Sequence, residues 1–296
     1  MKKFGAVGVF GRANAGKSTL VNALVGERVS IVSKRPQTTR KRILGILTVE
    51  DCQLVFCDTP GLHGVKNKLD AFMHEEIMAT VKGLQAGLYL VDLADIKPED
   101  DKAYLSQLNP ESDMPIFLVL NKKDLVEEDK VEFAVKLYHE FFPFNKVFAV
   151  SAGKNEGLEP LLKALKRAVP EGPHAYDSEL YTSQSEREIV EEVVREVALQ
   201  NFYQEVPHSI AVQVEQFCER ENGKTYVEAQ IYVEKESHKK IIIGKAGEGI
   251  KKLGLVARQR LNSLLGRDIF LQLWIKVRVN WRHDEQWVER LGYRKS

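Results

Sequence analysis

The sequence is poor in cysteine and has no long apolar run. Its three cysteines, Cys52, Cys57 and Cys218, form neither a CxxC pair nor a Cys/His ligand spacing, which argues against a zinc site or a disulfide framework. We interpret them as reduced core thiols of a cytosolic protein. No apolar segment approaches the roughly 18 residues that a membrane-spanning helix needs. The apolar run after Lys3 is also too short for a signal peptide.

The sequence also lacks an excess of charge of either sign, and it contains no internal repeat or low-complexity tract. With 43 basic and 42 acidic residues, its net charge is +1, so no global field points to an anionic or cationic partner. A chain of 296 residues is long enough for two domains. The function must therefore be sought in local motifs.

Short apolar segments alternate with helical patterns through residues 1–170, which predicts a doubly wound α/β domain with a mostly parallel sheet. Such sheets bind ligands beyond the carboxyl ends of their strands, and polar motifs follow several of these segments. The predicted strands are 4–10, 53–58, 88–93, 116–120 and 147–150. The predicted helices are 18–25, 68–82, 130–141 and 158–168.

The first motif is a phosphate-binding loop between the first predicted strand and helix. Residues 11–18 read GRANAGKS and fit the pattern GxxxxGK[S/T]. Glycines let the backbone amides wrap the phosphates closely, and the following helix adds its positive dipole end. Lys17 is predicted to reach the β- and γ-phosphates, and the Ser18 hydroxyl to bind Mg²⁺. The predicted nucleotide-binding residues here are Gly11, Arg12, Ala13, Asn14, Ala15, Gly16, Lys17 and Ser18.

The second motif, DTPG at 58–61, follows the strand predicted at 53–58. A carboxylate at Asp58 suits Mg²⁺, and the Gly61 amide is placed to donate to a γ-phosphate, whose loss would release the loop. Leu62 stands where Ras-like proteins have a water-orienting glutamine, so we predict slow intrinsic hydrolysis. The predicted nucleotide-binding residues here are Asp58, Thr59, Pro60, Gly61 and Leu62.

The third motif, NKKD at 121–124, indicates which base is bound. The Asp124 carboxylate can accept hydrogen bonds from guanine N1–H and the N2 amino group. Adenine lacks that amino group and presents an acceptor at N1, so it is excluded. The SAG sequence at 151–153 can offer a backbone amide near Ala152 to guanine O6. The predicted base-binding residues are Asn121, Lys122, Lys123, Asp124, Ser151 and Ala152.

Segment 33–42 combines two threonines with five basic residues. We favour Thr39 over Thr38 as the residue that reaches Mg²⁺ when the γ-phosphate is present. The magnesium site is then Ser18, Thr39 and Asp58, and the catalytic set is Lys17, Thr39 and Gly61. The basic residues fit an RNA contact and a solvated loop equally well; they are Lys34, Arg35, Arg40, Lys41 and Arg42.

The pattern changes after the turn-forming sequence Pro170-Glu171-Gly172-Pro173. We predict a linker at 171–184 and a smaller α+β domain at 185–296. Asn222-Gly223 is a strong hairpin signal between two strands. The predicted elements are a helix at 186–201, strands at 209–219 and 225–234, a short helical segment ending at 243, a helix at 248–265 and a strand at 269–279.

A GxxG sequence, GKAG at 244–247, separates the two helical segments of this domain. Such a turn lets a nucleic-acid backbone approach the main chain closely, and the order of elements fits a KH domain of the bacterial type, type 2. Residues 186–236 contain 5 basic and 12 acidic residues, but residues 238–282 contain 11 basic and 2 acidic residues. That local excess of positive charge is typical of a surface that binds a phosphate-rich partner. The predicted RNA contacts are Ile243, Gly244, Lys245, Ala246, Gly247, Lys251, Lys252, Arg258, Lys276 and Arg278.

Together the motifs resemble those of the Era GTPase family over nearly the full chain. The resemblance rests on GRANAGKS at 11–18, PQTTR at 36–40, DTPG at 58–61, NKKD at 121–124 and IIIGKAGEGIKKLG at 241–254. Family P-loops more often have valine in place of Ala15, a change that leaves the backbone amides intact. The resemblance implies a bacterial ribosome-assembly factor that binds the 3′ end of small-subunit ribosomal RNA, with some peripheral association with the inner membrane.

We therefore expect a GTP-operated, RNA-binding switch that uses GTP or GDP and Mg²⁺, acts as a monomer and does not bind DNA. GTP would order the loops around Thr39 and Gly61 and bias the arrangement of the two domains. One alternative is a P-loop ATPase or small-molecule kinase, against which NKKD argues. The others are a GTP-regulated module that docks on protein, or one that docks on anionic lipid, with GxxG as a structural turn.

Overall fold

The computed structural model describes residues 1–33, 35, 37–61, 64–108, 114–203, 205–220 and 224–294. Its contacts divide the chain into two compact units. The N-terminal unit comprises Met1–Val32, Thr39–Gly64 and Met73–Ser183. The C-terminal unit comprises Gln184–Ser296 together with two short segments from the first half of the chain, Ser33–Thr38 and Val65–Phe72.

The described part of the N-terminal unit contains a six-stranded sheet in the order β2-β3-β1-β4-β5-β6. All neighbouring strands are parallel except β2, which runs antiparallel to β3 at one edge. The strands are β1 (Lys3–Gly11), β2 (Ile43–Val49), β3 (Cys52–Asp58), β4 (Ala86–Asp92), β5 (Ile116–Asn121) and β6 (Lys146–Ala149).

Helices link the parallel strands, as crossover connections require. Every residue of β3, β4 and β5 is buried, and separate apolar clusters pack on the two faces of the sheet. The predicted doubly wound α/β class is confirmed. The helices are α1 (Lys17–Val25), α2 (Lys68–Val81), α3 (Pro98–Leu108), α4 (Glu128–His139) and α5 (Leu158–Ala168).

The C-terminal unit has the predicted α+β order, with a final short helix that was not predicted. Its sheet has the order β7-β8-β9, in which β7 and β8 are antiparallel and β9 lies parallel to β8. The predicted hairpin residues Asn222 and Gly223 lie outside the described residues. The elements are α6 (Glu186–Asn201), β7 (Ala211–Glu219), β8 (Thr225–Val233), α7 (Glu236–Ile243), α8 (Glu248–Leu265), β9 (Ile269–Val277) and α9 (Glu285–Arg290).

Helix α6 begins directly after Ser185, a residue type that favours helix starts. Ser185 accepts a hydrogen bond from the Glu188 amide, and the Glu188 side chain accepts one from the Ser185 amide, which is a capping box. The apolar stripe of α6 packs with inward residues of α8 and the three strands in one core. The interpretation of all three cysteines as core thiols is wrong for Cys218, which is exposed on β7, because its strand leaves that face uncovered.

In the described ranges, no helix combines the length and apolar character that crossing a bilayer requires.

The core of the C-terminal unit can be tested alone, because all three tryptophans (Trp274, Trp281 and Trp287) lie in that unit. Leu261 of α8 is fully buried, so Leu261→Ala should lower the free energy of unfolding of this unit by about 2–4 kcal/mol. Leu264 on the same helix is 37% exposed, and Leu264→Ala should cost about 0.5 kcal/mol or less. Denaturant unfolding followed by tryptophan fluorescence measures both; equal losses would contradict this packing.

Candidate guanine-nucleotide and RNA sites

The phosphate-binding loop lies between the end of β1 and the start of α1, where the sequence places it. Gly11, Asn14 and Gly16 all have positive φ values, of 138°, 65° and 96°. At Gly16 a side chain would meet Asn121 Nδ2 at 2.3 Å, so the close approach requires glycine there. The positive φ values and this close approach together define the backbone path of the loop.

Lys17 is almost fully buried, and its ammonium group lies inside the loop. It donates hydrogen bonds of 3.0 Å to the carbonyl oxygens of Gly11 and Arg12. Burial lowers the pKa of Lys17 to about 8, with Asp58 opposing the shift and the Arg12 charge adding to it. A phosphate oxyanion in this loop would favour the charged ammonium and raise that pKa again.

Three polar side chains from separate segments converge next to the loop. Thr39 Oγ1 lies 2.9 Å from Ser18 Oγ and 3.5 Å from Asp58 Oδ2. Asp58 is fully buried, and burial raises its pKa, with the Ser18 hydrogen bond and the Lys17 charge opposing. Among the described atoms, Asp58 Oδ1 has no hydrogen-bond partner. Two hydroxyls and a carboxylate with an open oxygen fit a hard divalent cation such as Mg²⁺.

The DTPG segment passes close to the phosphate-binding loop. The Thr59 hydroxyl donates a 2.7 Å hydrogen bond to the Val9 carbonyl, which anchors the segment to β1. A Cβ at Gly61 would lie 2.7 Å from Ala13 Cα and 2.9 Å from Ala13 N. The glycine therefore allows the two loops to meet. Leu62, which was predicted to replace a water-orienting glutamine, lies outside the described residues.

The NKKD and SAG segments are joined by hydrogen bonds. Asn121 donates to the Ala15 carbonyl at 2.9 Å and accepts from the Ala152 amide at 3.0 Å, so it links the phosphate loop to the base loop. Asp124 accepts a 2.6 Å hydrogen bond from Ser151, which lowers the pKa of Asp124 together with the Lys154 charge. The carboxylate is thus held ionised at the place predicted for guanine. The other motif lysines pair with acids: Lys122 with Asp92 at 2.5 Å and Lys123 with Glu156 at 3.7 Å.

The sequence did not reveal a buried network that holds the start of the phosphate loop. Asp101 of α3 is fully buried and accepts hydrogen bonds from Arg12 Nε at 3.1 Å and the Tyr89 hydroxyl at 2.6 Å. The Tyr138 hydroxyl donates to its other oxygen. Burial and Asp101 raise the pKa of both tyrosines. An acidic helix start is common in surface helices, so no sequence signal marks Asp101.

The GxxG turn connects α7 to α8 as predicted. Gly244, Ala246 and Gly247 have φ values of 71°, 51° and 81°, and a Cβ at Gly244 would lie 2.9 Å from the Gly249 amide nitrogen. Lys245 and Ala246 are exposed at the tip. The backbone there is open to a ligand, which is the geometry that a GxxG clamp on a nucleic-acid backbone needs.

A groove of about 440 Å³ runs between α8 and β9 next to this turn. Lys251 and Arg258 line it from the helix, and Phe270 and Gln272 from the strand. Phe270 is 47% exposed and had not been predicted as a site residue. The available signal was strand alternation, which places Phe270 on the same face of β9 as Gln272 and Lys276.

Other predicted RNA contacts lie outside that lining. Lys252, Lys276 and Arg278 do not line the groove. Arg278 stacks 4.5 Å above the Trp287 ring and lies 3.5 Å from Asp284. RNA contact by these three residues stays a prediction, as it does for Lys251, Arg258 and residues 243–247.

Fold and sites together define a P-loop GTPase domain followed by a KH domain. Residues 6–122 match the family model of a 50S ribosome-binding GTPase, and residues 205–282 match that of the KH domain. GTPase Era of Caldanaerobacter subterraneus is 45% identical over 290 residues, which cover 98% of this chain and 97% of the relative. GTPase Era of Ruminiclostridium cellulolyticum is 41% identical over 294 residues, with 99% and 98% covered.

Solved structures extend the likeness to the whole molecule. A crystal structure of Era in complex with MgGDPNP and nucleotides 1506–1542 of 16S ribosomal RNA has a TM-score of 0.95, with 33% identity and 100% of both chains covered. A variant Era from Aquifex aeolicus bound to GDP·AlF4⁻ has a TM-score of 0.94 at 33% identity, covering 99% of this chain and 100% of that one. The chain belongs to the Era GTPase family, and the predicted resemblance is confirmed.

The close approach at Gly61 gives a direct test of the phosphate site. Gly61→Ala must push the DTPG segment away from Ala13, and such overpacking costs about 1–3 kcal/mol, so GTP hydrolysis should slow about tenfold or more. The matched control is Gly64→Ala, since a Cβ at Gly64 meets no described atom within 4 Å. Single-turnover hydrolysis measures both variants. Equal rates for them would show that the two loops do not need to meet.

The lowered Lys17 pKa predicts proton uptake when nucleotide binds. The free protein loses the Lys17 proton as the pH rises through about 8, whereas phosphates favour the protonated form. The bound state then carries more protons, so affinity should fall as the pH rises past that value. At pH 8 the uptake should be about half a proton per nucleotide.

Calorimetry in two buffers of different ionisation enthalpy measures this uptake. Lys17→Arg is the control, because a guanidinium stays charged throughout this range. Its proton uptake should be smaller than that of the wild type by about half a proton. Identical uptake by the two proteins would mean that Lys17 is already fully charged without nucleotide.

Proposed function

We propose that the N-terminal site binds GTP and GDP with Mg²⁺ through the residues predicted from the motifs. In this assignment the phosphate loop and Gly61 hold the phosphates, Asp124 recognises guanine, and Ser18, Thr39 and Asp58 hold Mg²⁺. When bound, Mg²⁺ would neutralise charge on the phosphates. The observation that carries the assignment is the convergence of Ser18, Thr39 and Asp58, with hydroxyl oxygens 2.9 Å apart and an open carboxylate oxygen.

We also propose functional boundaries of 1–170 for the GTPase domain, 171–184 for the linker and 185–296 for the RNA-binding domain. The linker sequence packs along the N-terminal sheet, where the Gln53 side chain accepts hydrogen bonds from the Ala175 and Tyr176 amides. Thr182 forms an isolated bridge with Gly45. The RNA-binding domain would therefore begin after these linker contacts, near the start of α6.

The second proposed activity is binding of single-stranded small-subunit ribosomal RNA near its 3′ end, in support of small-subunit assembly. The GxxG turn and the groove beside Lys251, Arg258 and Phe270 supply a phosphate clamp and a stacking surface. The Era structure that carries 16S ribosomal RNA covers this whole chain. The family model of a 50S ribosome-binding GTPase covers residues 6–122 only, so it says nothing about which RNA the KH domain binds.

The nucleotide state would set the RNA affinity. GTP needs Thr39 and Gly61 in place around its γ-phosphate and Mg²⁺, whereas GDP does not. A ligand shifts a protein between two states only by its differential affinity for them. Since Leu62 replaces the water-orienting glutamine, intrinsic hydrolysis would be slow, which would give the GTP state time to act.

We further propose that the protein works as a cytoplasmic monomer with some peripheral association with the inner membrane. The exposed residues Lys245, Lys251 and Lys252 offer an electrostatic contact with anionic headgroups. The association would be weak and would disappear at high salt.

The RNA assignment is tested with an oligonucleotide copied from the 3′ end of small-subunit ribosomal RNA. With a GTP analogue bound, the wild type should bind it more tightly than with GDP. Replacing Lys251 and Arg258 by Gln should weaken binding and reduce the salt slope by about two, one per lost phosphate contact. GTP affinity should not change.

The matched control replaces the exposed Lys136 and Lys163 of the N-terminal unit by Gln, which removes the same charge. A scrambled oligonucleotide tests sequence selectivity. If the control weakens RNA binding as much as the groove variant does, binding is unspecific attraction. If wild-type affinity is the same with the analogue, with GDP and without nucleotide, the switch proposal is wrong.

A further inference from the structure

Helix α6 carries a buried arginine. Arg195 is 1% exposed, and the neighbouring Glu196 is fully buried as well. Its guanidinium forms a fork to Glu192, with Nε at 3.0 Å and Nη2 at 2.6 Å from the carboxylate oxygens. A buried arginine whose charge is balanced in this way is held in one orientation.

The remaining donors of Arg195 hold the segment Ser33–Thr38, which belongs to the same compact unit. Nη2 donates to the Thr38 carbonyl, and Nη1 donates to the Gln37 carbonyl at 3.5 Å. Every residue has a backbone carbonyl, so the sequence pattern gives no sign of these contacts. Arg195 therefore binds the main chain of this segment through two carbonyls.

The same segment has further contacts within the C-terminal unit. Gln37 has a left-handed backbone, with φ at 60°, which is strained for a residue other than glycine. Its side chain donates a 2.9 Å hydrogen bond to Asp70, a buried residue whose other oxygen accepts from the Lys66 amide at 3.0 Å. The strained conformation is thus maintained by a carbonyl contact on one side and a side-chain contact on the other.

The next residue along the chain is Thr39. The Thr38 carbonyl and the Thr39 amide belong to one planar peptide group, so fixing that carbonyl also fixes the direction in which the chain enters Thr39. The Thr39 hydroxyl then lies beside Ser18 and Asp58. Arg195 thus binds the Thr38 carbonyl, and the same peptide group leads into Thr39 at the proposed magnesium site.

We propose that Arg195 is a positioning residue for the GTP-bound state, which holds the Thr38 peptide so that Thr39 reaches the magnesium site. The proposal rests on the assignment of Thr39 under the proposed function. Among the described residues, the hydrogen bonds of Arg195 reach Glu192 and the carbonyls of Gln37 and Thr38, and none reaches the nucleotide-binding motifs. Arg195 would thus act through the main chain. Since GDP does not require Thr39, loss of Arg195 should lower the affinity for GTP and leave the affinity for GDP unchanged.

The test compares affinities for a non-hydrolysable GTP analogue and for GDP, both with Mg²⁺. Arg195→Met keeps an unbranched stem about as long as the Cβ–Nε part of arginine and removes the guanidinium fork. It should weaken analogue binding about tenfold, the range of a lost charge-assisted hydrogen bond, and change GDP binding less than about twofold. Thr39→Ala should show the same selective loss.

The matched control is Arg187→Met on the same helix. Arg187 also donates to a backbone carbonyl, that of Val214 at 3.1 Å, but it has no described contact with the segment Ser33–Thr38. It should leave the ratio of the two affinities unchanged. Arg195→Lys, which retains the charge opposite Glu192, should fold even if Arg195→Met does not, and should show the selective loss in weaker form.

The outcomes separate this inference from the proposed function. If the Arg195 variants keep wild-type affinity for the analogue while Thr39→Ala loses it, the inference is wrong and the Thr39 assignment stands. If Thr39→Ala also binds the analogue normally, the Thr39 assignment fails. If the Arg195→Lys variant loses analogue and GDP affinity equally, Arg195 has a merely structural role and the inference is overturned.

Discussion

The contact between the hydroxyls of Thr39 and Ser18, 2.9 Å apart beside the buried Asp58, is the interaction on which the account depends. Three segments that are distant in sequence supply these oxygens. A buried carboxylate with an unused oxygen is costly unless something satisfies it, and a divalent cation does so. The arrangement therefore gives a physical reason for the chain to respond to a bound ligand.

Hydrogen bonds and an ion pair hold the other residues proposed for the nucleotide site. The phosphate loop is fixed at its start by the ion pair of Arg12 with the buried Asp101, and near its end by Asn121. Asn121 also fixes the base loop through Ala152. By contrast, Thr39 follows the segment Ser33–Thr38, which binds Arg195 and Asp70 within its own unit. Residues fixed in this way and one separately held ligand are what a switch needs, because the two states then differ at few places.

Sequence reasoning predicted the elements with strong periodicity and clear end signals. Helix α6 was predicted with its bounds as observed, because its apolar residues recur with helical spacing. Strand β2 was not predicted; it runs antiparallel at the edge of the sheet, outside the alternation of parallel strands and helices. Helix α3 was missed because its sequence, PEDDKAYLSQL, is largely polar. The motif residues were predicted because their chemistry requires particular residue types at fixed spacing.

The supporting residues were not predictable in the same way. Asp101 and Arg195 are buried charges. Asp101 binds tyrosines and an arginine from distant segments, and Arg195, besides its pair with Glu192 on the same helix, binds backbone carbonyls of a distant segment. Their roles depend on tertiary contacts that no local pattern records. The same limit applies to the groove: strand alternation places Phe270 on the same face as Gln272, but the α8 residues that complete the groove meet it only when the two elements pack.

If nucleotide and RNA binding are coupled, the coupling must appear at both sites. The measurement is the ratio of GTP-analogue affinity to GDP affinity, without RNA and with saturating 3′-end ribosomal RNA. The account predicts that RNA raises this ratio by the factor by which the analogue, relative to GDP, raises RNA affinity. A ratio that does not change when RNA binds would show two independent sites on one chain, and would contradict the account.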